Sequence, residues 1–79
     1  MDALQAAVEL RPELACGMVE HSGTPALSVV RRGGARPVEV GCDFVRGVWW
    51  FTWPDGRLIK PVWDVGGAVG ALGCELGRL

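Results

Sequence analysis

The sequence predicts an α+β fold in a single domain spanning residues 1–79: an N-terminal helical segment, a three- to four-stranded antiparallel meander and a C-terminal helix. Two observations carry this. Apolar residues follow helical spacing over residues 2–21 and again from Val65 onward. Between these segments the period falls to two, and Gly-containing turn signals interrupt it at Gly33-Gly34, Arg46-Gly47 and Asp55-Gly56.

The N-terminal segment opens with Asp2 and, three residues on, Gln5, a capping-box arrangement. Leu4, Ala7, Val8 and Arg11 follow helical spacing. Pro12 interrupts the pattern, because it lacks a backbone donor and clashes with the carbonyl four residues back. Leu14, Ala15, Met18 and Val19 resume a helical stripe, so residues 2–21 read as one kinked helix or two short ones. Ser22-Gly23-Thr24-Pro25 ends this segment.

From Ala26 the chain alternates, with Leu27 and Val29 against Ser28 and Val30. The cleanest strand comes next: Val38, Val40, Cys42 and Phe44 alternate with Glu39, Gly41, Asp43 and Val45. A two-residue Arg46-Gly47 turn then sets Val45 opposite Val48, Phe44 opposite Trp49 and Cys42 opposite Phe51. Directly opposed residues share a face. One face thus gathers Val38, Val40, Cys42, Phe44, Trp49, Phe51 and Trp53, the expected core. The other carries Glu39, Gly41, Asp43, Val45, Val48, Trp50 and Thr52, with Gly41 leaving room for the Trp50 indole. A one-residue slip would mix the two sets.

Pro54-Asp55-Gly56 predicts a turn, and Arg57 to Pro61 a short strand. A bulged three-residue loop puts Ile59 inside; a tight Asp55-Gly56 turn puts Leu58 inside. Pro61 suits a strand end or an edge. Trp63 is expected to seal one edge of the core. Asp64 caps the last helix, whose stripe is Val65, Val69, Leu72, Leu76 and Leu79. Gly66, Gly70, Gly73 and Gly77 repeat that spacing one residue on, either to admit a close neighbour or on a solvent face.

Length and composition narrow the function classes. Seventy-nine residues build a small core and leave little surface for a separate active site, which favours a binding module over an enzyme. No apolar run is long enough to cross a bilayer, and the N-terminus lacks the pattern of a secretory signal, so the expected location is cytoplasmic. Cys16, Cys42 and Cys74 are widely spaced and odd in number, which argues against a disulfide framework. Without a C-x-x-C pair, and with Cys16 and His21 pointing about 140° apart on a helix, zinc is disfavoured; the thiols read as buried small hydrophobes. No phosphate loop, dinucleotide fingerprint or nucleophile elbow is present, and the lone His21 suits a helix end better than a catalytic role. No catalytic residue, cofactor or metal is expected.

The net charge of −1 hides an asymmetry. Asp2, Glu9, Glu13 and Glu20 outweigh Arg11 near the N-terminus. Arg31, Arg32, Arg36, Arg46, Arg57 and Lys60 outweigh Glu39, Asp43 and Asp55 in the middle. The leading expectation is a non-enzymatic protein-interaction module, a small regulatory or accessory protein. It would dimerise or bind another protein through the outer sheet face around Val30, Asp43, Val45, Val48 and Trp50, since Trp is enriched at interface hot spots. The alternative is single-stranded nucleic-acid binding, with bases stacked on Trp50 and Arg31, Arg32, Arg46 and Lys60 on phosphates.

Cys42, Trp49, Trp50, Phe51, Trp53, Gly56, Ile59, Pro61 and Asp64 form a further pattern. A strand near a Cys leads into a Trp cluster, a Gly turn, I-x-P, an Asp and a small-residue helix. Over residues 26–78 this resembles small functionally uncharacterised proteins common in actinobacteria. The resemblance implies no activity and transfers no site residue. The Gly-rich last helix departs from the Ala-rich one usual in that pattern.

Overall fold

Pro12 divides the N-terminal segment into two kinds of structure. The computed structural model describes residues 2–77. Helix α1 covers Asp2–Glu9, and the chain turns as Arg11 N–H donates to the Val8 carbonyl at 2.9 Å. The next element is a strand, β1 (Leu14–His21), rather than the expected continuation of helix. Its stripe of Leu14, Ala15, Met18 and Val19 fits a helix by spacing, but Leu14, Cys16 and Met18 also alternate. Pairing decides between these. β1 pairs along its whole length with β2 (Thr24–Arg31), from Leu14 opposite Arg31 to His21 opposite Thr24. Long-range backbone and side-chain pairing outweighs the weak helix preference of Ala, Leu and Met. The reversal is a two-residue loop, Ser22-Gly23, with φ of 53° and 80°, the positive values a type I′ turn needs.

The remaining strands are β3 (Val38–Val45), β4 (Val48–Thr52) and β5 (Leu58–Pro61). All five lie antiparallel in the order β1-β2-β3-β4-β5, one strand more than the four expected at most. The β3–β4 hairpin has the register expected: Cys42 opposite Phe51, Phe44 opposite Trp49, Val45 opposite Val48. Arg46 and Gly47, at φ of 52° and 82°, form a second type I′ turn. Between β4 and β5, Gly56 N–H donates to the Trp53 carbonyl and Trp53 N–H to the Arg57 carbonyl, both at 2.9 Å. With Gly56 at φ of 92°, this is a three-residue loop. A bulge opposite Phe51 then turns Ile59 into the core and leaves Leu58 outside, which settles the facing of β5.

β3 serves two halves of the sheet. Its first residues, Val38 to Val40, pair with β2; its last five, Gly41 to Val45, pair with β4. Beyond Val40 the described ladders place no β2 residue beside β3. From Gly41 to its tip the β3–β4 hairpin is therefore not laddered to β2.

Helix α2 (Val65–Leu76) begins as expected: Asp64 Oδ1 accepts from Gly67 N–H at 3.1 Å. It lies with α1 on one face of the sheet. Together they enclose Leu4 and Val8 from α1, Leu14, Leu27, Val29, Val40, Phe51 and Ile59 from the sheet, and Ala68, Val69, Leu72 and Leu76 from α2. Leu79, the last residue of the expected stripe, lies outside the described residues. A Cβ added at Gly66, Gly70 or Gly73 would meet nothing within 4 Å, so these glycines admit no close neighbour and the solvent-face reading holds.

Candidate functional site: the two faces of the hairpin end

The core stops short of the hairpin tip. Phe44 and Trp49 point to the same face as Phe51, but Phe44 is 56% exposed and Trp49 54%. The expectation that both belong to the core is corrected. The helices cover the sheet as far as Cys42 and Phe51; the last rung of that face lies beyond them and beyond the β2 ladder. The two rings lean on each other instead, with centroids 5.3 Å apart and planes tilted by 41°, a favourable aromatic arrangement. Trp63, expected to seal an edge, is 77% exposed in the turn before α2. That turn returns close to the pair, because Val62 N–H donates to the Trp49 carbonyl at 3.0 Å.

The opposite face of the same hairpin is also apolar. Val45, Val48, Trp50 and Leu58, with Arg46 at the turn, line an open groove of about 480 Å³. Trp50 is half-buried, so its indole forms the floor while Val48 and Leu58 remain exposed. Gly41 lies opposite Thr52, and a Cβ on it would stand 3.2 Å from Thr52 Oγ1. The room it leaves is therefore used by the nearly buried Thr52 rather than by the indole.

Of the residues expected to form the site, the structure brings Val45, Val48 and Trp50 into one groove and sets Asp43 directly across from Trp50. The Asp43 carboxylate accepts from Phe44 N–H at 3.0 Å and is exposed. Val30 does not join them: it pairs with Ala15 near the far end of β2. Leu58 was not foreseen as a groove wall, since its facing depended on the bulge. Phe44 and Trp49 were not foreseen as surface, since alternation gives the face of a residue but not how far the helical layer reaches.

The arginines fall into two places. Arg46 sits at the hairpin turn. Arg31, Arg32 and Arg36 line a separate groove of about 450 Å³ against Leu76, at the C-terminal end of α2. Val29, two residues before Arg31 on β2, lies opposite Val38, five residues along β3 from Asp43, so Arg31 sits more than about 16 Å from the Trp50 rung. A cation beside a helix C-terminus is electrostatically favourable, which accounts for the second group without a ligand. Lys60 is exposed on β5 opposite Phe51.

The thiols divide differently from the expectation that all three are buried. Cys16 and Cys42 are half-buried, and Cys74 is exposed on α2. Burial raises the Cys42 thiol above its ordinary value, and burial followed by the charge of Glu9 raises that of Cys16. Both are protonated and weakly nucleophilic at neutral pH. Among the described residues no three His, Cys, Asp or Glu side chains cluster as a metal site would require, and no helix is long and apolar enough to cross a membrane. The His21 side chain lies outside what is described.

Comparisons with protein-family models, with curated proteins and with solved structures gave no match.

Proposed function

We propose that this chain is a non-enzymatic interaction module that engages a protein partner with the β3–β4 hairpin end. One observation carries the reading: a single hairpin end is apolar on both faces. Phe44 and Trp49 stand exposed on one side, and the Val45, Val48, Trp50 and Leu58 groove on the other. Core-sized side chains left in water favour association, and aromatic anchors beside a concave patch are the usual centre of a protein interface. Asp43 and Arg46 supply a charge of each sign at the rim, where they would select orientation more than add affinity. The nucleic-acid reading keeps Arg46 beside the Trp50 platform but has Arg31 and Arg32 in a separate groove.

A photo-cross-linking side chain placed at Val48 or Leu58 tests the reading in cells. The same probe at Gly70, on the open face of α2, is the control. A discrete adduct from the two groove positions, absent from Gly70 and lost when Trp50→Glu is added, is the expected result. Adducts no different from the Gly70 control would overturn it.

A further inference from the structure

The two ends of the sheet are not equally protected. β5 is four residues long, bulged, carries Lys60 and ends in Pro61. These are devices that keep an edge from pairing. β1, at the other end, has eight residues with no Pro, no Lys and no bulge.

The free backbone groups of β1 are set by its register. The two-residue Ser22-Gly23 loop makes His21 and Thr24 a hydrogen-bonded pair, and pairs two residues apart share that character. The bond from Arg32 N–H to the Glu13 carbonyl, at 2.8 Å, fits the same series. Odd-numbered residues of β1 therefore bond to β2, and the N–H groups of Leu14, Cys16, Met18 and Glu20 point away from it. Leu14 N–H is already taken by the Arg11 carbonyl at 3.1 Å. Cys16, Met18 and Glu20 remain, symmetrically spaced about Met18.

We infer that β1 pairs antiparallel with β1 of a second copy, about a two-fold axis at Met18, to make a continuous ten-stranded sheet. In that register Met18 faces Met18, and Cys16 faces Glu20 on either side. Each of these three residues then exchanges both its N–H and its carbonyl. Centring on Gly17 would set Glu20 against Leu14, whose N–H is engaged, and leave the Glu20 carbonyl without a donor. The Met18 axis also stacks two exposed Met18 side chains and opposes no like charges. An axis normal to the sheet keeps both pairs of helices on one side and leaves both hairpin ends free.

Sedimentation equilibrium at micromolar concentrations is expected to give twice the monomer mass. Met18→Lys, which sets two ammonium groups across the axis, should return the mass to that of a monomer. Met18→Pro should do the same, because it removes a donor that the β1–β2 ladder does not use; circular dichroism of both variants shows whether the fold is kept. Trp50→Glu should leave the dimer intact. A wild-type chain that stays monomeric overturns the inference, as does a dimer that survives Met18→Lys. Dissociation by Trp50→Glu alone would also overturn it and place the dimer contact at the hairpin groove, so the two proposals fail separately.

Discussion

Trp49 and Phe51 stand two residues apart on one face of one strand, yet one is half in water and the other is sealed. Side-chain direction is set by the pleat, but burial depends on what lies opposite. Phe51 touches a layer built from both helices; Trp49 has mainly Phe44 to lean on. Phe51→Ala should therefore cost about 3–5 kcal/mol and Trp49→Ala clearly less, measured by chemical denaturation. Equal losses would mean that the Phe44–Trp49 pair belongs to the cooperative core. The outward Trp50, half-buried on its groove floor, should fall between the two.

At the scale of the element, α2 shows how neighbouring glycines differ. Gly70 faces open space in a regular helix, so Gly70→Ala should add up to about 1 kcal/mol through helix propensity alone. Gly67 supports the cap: a Cβ there would stand 2.5 Å from Asp64 Oδ2. Gly67→Ala should displace that carboxylate and lose stability by about 1 kcal/mol. Thermal unfolding of the two variants should show opposite shifts. The same contrast between local and non-local information explains what was legible. The Asp64 cap, the Arg46-Gly47 turn and the β3–β4 register could be read because each is encoded within a few residues. β1 could not be read as a strand, because Leu14 to Glu20 satisfies both periods. Only its mate, Thr24 to Arg31, breaks the tie. Two signals were present: Gly17 in mid-segment, poor for a helix, and Ser22-Gly23 leading at once into a second alternating run. In the site, Val45, Val48 and Trp50 were legible from alternation, whereas Leu58 needed the bulge and Val30 needed the full strand order to be set apart.

Across the whole molecule, the helices gather the core over Leu14, Leu27, Val29, Val40, Phe51 and Ile59 of the sheet and leave the hairpin end uncovered. Pairing through β1 would extend the sheet without using that end, and the antiparallel two-fold would point two hairpins in opposite directions. The dimer would then present two identical contact points, able to bridge two copies of a partner. The graded exposure of the four tryptophans has an optical consequence. Trp63 is largely solvated and Trp49 half so, while Trp50 and Trp53 are mostly covered. Native emission should therefore already carry a long-wavelength contribution from Trp63 and Trp49, and unfolding in denaturant should move its maximum less than it would for four buried indoles. Engagement of the hairpin should do the opposite, drawing Trp49 and Trp50 out of water and shifting emission to the blue. A large red shift on unfolding of the free chain would contradict this arrangement. Intrinsic fluorescence is thus expected to be a weakened gauge of this protein's unfolding and a sensitive gauge of its being bound.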